Sequence, residues 1–269
     1  MKKKFSLSAF LSKFYVYLLL LVMYAPLLLL IIFSFTDTKI IGNWDGFSLK
    51  LYSSLFKDAE IMEAFKNTFV VAISSAIVST ILGTMGAIGI FYSGKRSKAI
   101  MEGISNIPVI NAEIVTALSL TILFVVCGIT FNFITLLIGH VVLTIPFVIL
   151  AVRPKLMQMD PNIYEAALDL GATPKRALRT IVLPEIMPGI LSGFILSITL
   201  SLDDYIITAF TRDTAFQTLS TYVYGVTSKK GTLPPSLRAL TTIITLIALV
   251  ILIIVNIQSS EEKNKNEKN

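Results

Sequence analysis

Three carboxylates stand where carboxylates are costly. Glu113, Asp203 and Asp204 lie inside long apolar stretches of this 269-residue chain. Placing a charge at the centre of a bilayer costs about 2.5–3.5 kcal/mol on the lowest scale, so such groups mark function or a wet boundary. Asp203 and Asp204 belong to SLDDYIITAFT, Ser201–Thr211. Adjacent helical positions point about 100° apart, so the two side chains cannot face one way. One can line a pathway while the other pairs with a neighbouring helix or caps a break; both being solvated at the outer interface is the alternative. Tyr205 and Phe210 offer ring faces to a cation. Glu113 follows Asn106, Pro108 and Asn111. A helix capped by Asn111 would put Glu113 in its first turn, favoured by the helix dipole, and a pathway role is the other reading.

A second cluster lies in the polar segment MDPNIYEAALDLGATPKRALRTIVLPEIMPG, Met159–Gly189. Asp160 can cap a helix with Pro161 at its first position, and Gly171 can end that helix in a left-handed conformation. Thr173 and Pro174 repeat the start signal, and a second helix over Lys175–Leu183 meets Pro184, which has no N–H to continue the ladder. The segment reads as two short helices at a membrane surface. Glu165 offers a charge to a partner, and the small side chains of Ala166 and Ala167 let another surface approach closely. A bare interfacial linker is the plainer reading. DNA recognition is disfavoured, because apolar runs on both sides hold the segment against the bilayer.

Other chemistries are excluded by count. One cysteine, Cys127, allows no internal disulfide, and one histidine, His140, allows no histidine metal cluster. Both read as packing residues. The phosphate-cradling pattern GxxxxGK[ST] does not occur, so ATP hydrolysis is not expected of this chain.

The elements that must position these residues are membrane helices. Hydrophobic residues make up 54% of the chain and charged ones 15%, whereas soluble domains carry about 25% charge. Six apolar spans are expected: Phe14–Phe35, Asn67–Tyr92, Ile104–Val126, Thr130–Val152, Met187–Thr211 and Leu237–Ile257. The fold class is therefore all-α, a polytopic membrane protein. The first span is too long for a signal peptide and no small-residue cleavage pattern follows Phe35, so it reads as a retained anchor. The polar tail 259–269 is too poor in apolar residues to bury a core. With the N-terminus inside, roughly two thirds of the 23 Lys and Arg residues fall on the cytoplasmic side. Both termini are thus expected in the cytoplasm, and the net charge of +6 reads as a topology signal. Ser75, Ser79, Gly83 and Ala87 form a small-residue stripe, for internal packing or for contact with another chain. The long outer segment Arg212–Ser236 carries Phe216, Leu219, Tyr222, Val223 and Val226 at helical spacing, which predicts an interfacial or re-entrant helix.

One resemblance is specific. Glu165-Ala166-Ala167, three residues, Gly171, nine residues, Ile181, one residue and Leu183-Pro184 match the EAA signature of ABC-importer permeases at every defined position. The chain resembles the type I, binding-protein-dependent importer permeases. The resemblance implies that fold over roughly 60–258, after an anchor helix and outer loop at 1–59. It implies a bacterial cytoplasmic-membrane location, and a coupling helix around Glu165, Ala166, Ala167 and Gly171 seated in a cleft of an ATPase subunit. It also implies a second permease subunit, an ATPase dimer that holds ATP-Mg, and an extracytoplasmic solute-binding protein. This chain would bind no cofactor itself. The SLDD stretch and IPVINAEIVTALSL further resemble polyamine permeases of the spermidine/putrescine type, with Glu113 where Asp is more usual and Ala209-Phe210-Thr211 in place of Ser-Phe. Glu113, Asp203, Asp204 and Tyr205 then become substrate-pathway residues, since fixed carboxylates and ring faces suit a flexible polycation. An importer permease for a sugar, anion or metal complex, or a secondary cation transporter that protonates Asp203 and Asp204, are the alternatives.

Overall fold

A backbone in hydrocarbon must satisfy its own hydrogen bonds, and these apolar runs do so as helices. The computed structural model describes residues 7–38, 42–230 and 234–250, and no strand occurs among them. The helices are α1 (Leu7–Ser34), α2 (Lys50–Lys57), α3 (Ala59–Tyr92), α4 (Lys95–Ile110), α5 (Glu113–Val126), α6 (Phe133–Gln158), α7 (Pro161–Asp169), α8 (Pro174–Glu185), α9 (Met187–Asp203), α10 (Ile206–Thr211), α11 (Leu219–Lys230) and α12 (Ser236–Val250). Among the described residues, Phe14–Ser34, α3 and α6 are each long and apolar enough to cross a membrane, and the bent pairs α4–α5 and α8–α9 bring the number to five. The last expected span begins as α12; its remainder, 251–257, and the tail 259–269 lie outside the described residues.

Two expected spans are broken. The third bends by 105° between α4 and α5. The Asn111 N–H completes α4 by donating to the Ile107 carbonyl at 3.0 Å, so Asn111 closes one helix instead of opening the next. Ala112 is the N-cap of α5, and Glu113 stands in the first turn. The fifth span ends α9 at Asp203 and resumes as α10 at Ile206. The loop helix α8 also departs from expectation. It passes through Pro184 by adopting a π turn at Leu178–Val182, in which the Leu183 N–H bonds to the Leu178 carbonyl. The wider turn accommodates a proline that an α ladder rejects.

The chain forms two compact units, Met1–Met62 with Val226–Asn269, and Glu63–Gly225. In the first, Tyr52 on α2 bonds Ser34 of α1 at 2.9 Å, and Phe35 lies between the rings of Phe47 and Tyr52. Arg238 of α12 is buried and donates to the Thr38 carbonyl at 2.9 Å.

In the second unit α6 is the central helix. Asn132 caps it, accepting from the Ile134 and Thr135 N–H groups, while the Thr135 hydroxyl accepts from the Asn132 N–H. Glycines let neighbours close on it. A β-carbon at Gly83 would sit 2.7 Å from Val148 Cβ, and one at Gly193 would sit 3.2 Å from Val148 Cα. One at Gly139 would lie 2.7 Å from Ile207 Cγ2 of α10. The stripe Ser75, Ser79 and Ala87 is buried, with Gly83 against α6, so it serves internal packing. Val148, Val152 and Leu156 of α6 join Ala87, Met159, Val182 and Ile186 in one apolar core. Ala117, Leu143 and Ile207 form a smaller one beside the break in the fifth span.

Candidate functional site

The break between α9 and α10 is built by Asp204. Its Oδ1 accepts from the Ile207 N–H at 3.1 Å, and its Oδ2 accepts from the N–H and hydroxyl of Thr208, both at 2.8 Å. Those are the first-turn amides of a new helix, which otherwise lack partners. Ser220 of α11 donates to the Asp204 carbonyl at 2.7 Å. Asp204 is therefore a buried cap, only 6% exposed. Asp203, one residue earlier, is exposed.

Glu113 is also exposed, and it lies within electrostatic range of both Asp203 and Asp204. Helix α10 holds the two elements together: the Phe210 carbonyl accepts from Thr121 of α5 at 3.0 Å, and Ile207 packs on Ala117. Among the described residues neither Asp203 nor Glu113 has a salt-bridge partner. The Nη1 of Arg212 donates towards the carbonyls of Asp213, Thr214 and Phe216. Tyr205 follows the carboxylates, and its ring centroid lies 4.5 Å from that of Tyr224 on α11. The long segment after Thr211 thus carries the expected helix, and it brings a second ring to the site. The result is a negative patch flanked by paired aromatic faces, suited to a cation.

His140 is the residue that sequence reasoning missed. It is buried on α6, and its two ring nitrogens reach opposite sides of the break. Nδ1 lies 2.7 Å from the Ser201 hydroxyl in α9, and Nε2 lies 2.9 Å from the Thr208 hydroxyl in α10. Thr208 spends its proton on Asp204, so towards a neutral ring its oxygen accepts from Nε2–H. Nδ1 is then the acceptor for Ser201, whose oxygen accepts from Ser75 of α3 at 3.2 Å. Donors run in one direction from Ser75 through Ser201, His140 and Thr208 to Asp204. The packing role expected of His140 is corrected to a polar one. The available signal was a single imidazole in an otherwise apolar run, four residues before Thr144.

The second site is the surface loop. The Asp160 carboxylate accepts from the Asn162 N–H at 2.9 Å and starts α7. At its end Gly171 has φ +86°, its N–H bonds the Leu168 carbonyl, and the Ala172 N–H bonds that of Ala167. This double closure needs a left-handed residue, which glycine supplies without strain. Glu165, Ala166 and Gly171 are exposed, whereas Ala167 is buried. Tyr164 anchors the loop, its ring 5.2 Å from that of Tyr92, and Leu178, Val182 and Leu183 pack on the core of α6. One face of the loop presents Glu165 and Ala166, and the other packs on α3 and α6.

A surface helix pair seated on the same helix that supports a broken span with acidic residues is an arrangement that suits a membrane-transport component. Residues 3–259 match the family described as "Binding-protein-dependent transport system inner membrane component". The chain belongs to that family. It is 33% identical over 235 residues to the spermidine/putrescine transport system permease protein PotC of Escherichia coli strain K12, covering 87% of this chain and 86% of that protein. It is 34% identical over 229 residues to the putrescine transport system permease protein PotI of the same strain, covering 82% and 81%. Among solved structures, a chain of a bacterial ABC transporter involved in the import of the acidic polysaccharide alginate superposes with a TM-score of 0.69 at 14% identity, covering 96% of this chain and 99% of that one. A chain of the MetNI methionine ABC transporter gives 0.52 at 17% identity, covering 74% and 93%. The fold is that of an ABC-importer permease, and the chain is a multi-pass inner-membrane transport component, not an enzyme.

Proposed function

We propose that this chain forms half of the translocation pathway of an ATP-driven polyamine importer. Its partners are a second permease subunit, a cytoplasmic ATPase dimer that holds ATP-Mg, and an extracytoplasmic polyamine-binding protein. Both termini lie in the cytoplasm. Glu113, Asp203 and Tyr205 line the pathway, and Asp204 holds the break that presents them. Glu165, Ala166, Ala167 and Gly171 make up the coupling element, with Glu165 and Ala166 meeting the ATPase and Ala167 seating the helix.

The observation that carries this reading is the pair of exposed carboxyls, Asp203 and Glu113, without salt-bridge partners among the described residues and beside the tilted ring pair of Tyr205 and Tyr224. Such charges in a membrane protein need a counter-charge or water, and a polyammonium chain brings several charges with apolar spacers between them. The permeases for spermidine and putrescine named above support the substrate class. The test is uptake of labelled spermidine by proteoliposomes that hold the assembled importer. Uptake should require hydrolysable ATP and should be competed by putrescine but not by a neutral sugar. Uptake that follows an ion gradient without the ATPase would overturn the importer reading, and competition by a sugar or an anion alone would overturn the substrate class.

A further inference from the structure

We infer that His140 is a positioning residue, a splint across the break in the fifth span that sets where Asp203 and Tyr205 stand. The inference rests on the polyamine reading for its substrate readout and on geometry alone for its structural one. A broken helix has lost the backbone hydrogen bonds that would fix the angle between its halves. Here α9 ends at Asp203 and α10 begins at Ile206, so the ladder is interrupted and resumes only where the Tyr205 carbonyl accepts from the Ala209 N–H at 2.9 Å. Asp204 closes the first turn of α10, but all the contacts of its carboxylate lie on the α10 side of the break. The contact from the α9 side comes from His140, through Ser201. The imidazole is rigid, with two nitrogens about 2.2 Å apart on opposite edges of one ring. It is buried to 1% exposure, and it stands on α6, the helix against which both halves pack through Gly193 and Gly139. One ring therefore ties the last turn of α9 and the first turn of α10 to a common support.

The bonds on either side brace the ring further. Thr144 donates to the His140 carbonyl at 2.8 Å and bonds Ser79 of α3 at 2.6 Å. Ser75 supports Ser201 from the same helix. The imidazole's two hydrogen bonds are made to α9 and α10, its Nε2 also stands 3.6 Å from the buried Asp204 Oδ2, and none is made to the exposed carboxylates, so its influence on substrate passes through the backbone between Ser201 and Thr208.

Two variants separate this role from ring packing: His140→Phe keeps the volume without the bonds, and His140→Gln keeps one donor and one acceptor. The full importer in nanodiscs is read in two ways. Amide exchange of the 204–211 segment should rise about tenfold in His140→Phe, because Thr208, and with it the Asp204 carboxylate that caps α10, loses its tie to α6, and should return most of the way in His140→Gln. In the spermidine uptake assay, KM should rise about tenfold in His140→Phe with a smaller fall in kcat, again with rescue by His140→Gln. Unchanged exchange in His140→Phe, or His140→Gln as impaired as His140→Phe, would overturn the splint. If the wild-type importer moves no polyamine, the functional reading fails and the exchange result alone decides the splint. If His140→Phe does not assemble, Ser201→Ala and Thr208→Val cut one arm each. Faster 204–211 exchange in both then supports the splint, and unchanged exchange overturns it.

Discussion

An amide in place of each aspartate separates their roles, because Asp204 spends its oxygens on the backbone and Asp203 does not. Asp204→Asn keeps the shape but puts an NH2 group against an N–H or O–H donor, whichever way it turns. A buried clash of donors costs about 1–3 kcal/mol. The purified subunit should melt earlier in detergent and insert in lower amount. Asp203→Asn leaves folding alone and removes a pathway charge; its melting should match the wild type while spermidine KM rises about tenfold. Equal thermal loss in both variants would show that exposure does not distinguish them. The sequence already marked this dipeptide, because charge inside an apolar run is conspicuous, and the 100° rule required two orientations. Which residue faced which way was not legible, since it depends on His140 and Ser220, which lie 64 and 16 positions away in the chain. His140 itself was illegible for the same reason: its partners Ser201 and Thr208 are 61 and 68 residues distant.

At the scale of elements, the coupling loop was the most readable part, because its signals are local. Asp160, Pro161 and Gly171 start and stop α7 by chemistry that acts within one turn. The breaks were less readable: Asn111 marks a boundary but ends a helix where its side chain suggests the start of one, and a π turn conceals the effect of Pro184. The loop predicts opposite outcomes for neighbouring alanines. Ala167→Leu adds bulk on the buried face and should destabilise by about 1–3 kcal/mol, seen as poor recovery of folded protein. Ala166→Leu adds the same bulk on the exposed face and should leave melting unchanged while weakening co-purification of the ATPase. Gly171→Ala meets no atom within 4 Å, so its effect comes from φ +86° alone, about 1–2 kcal/mol. Combined with Glu165→Ala, it should leave ATP hydrolysis running while uptake falls; normal ATP-driven uptake by that double variant would remove the coupling role.

For the whole molecule, direction across the membrane decides whether the surface loop and the proposed pathway can work together. On the proposed topology the loop at Glu165 lies inside and the broken end at Asp203 outside, so force would enter on the ATP side and act at the face open to a binding protein. That assignment has a built-in reporter. Cys127 is the sole cysteine in the chain, it is exposed, and it caps the end of α5 in the turn between α5 and α6. With both termini in the cytoplasm this turn is extracytoplasmic. A membrane-impermeant maleimide should therefore label Cys127 in cells whose inner membrane is intact. In a Cys127→Ser background, Thr173→Cys, at the exposed start of α8, should react only after that membrane is permeabilised. The reversed pattern would put the loop on the side without ATP. The basic residues would then need another explanation than topology, and the acidic patch would face the cytoplasm, where it could release a polyamine but could not receive one from outside.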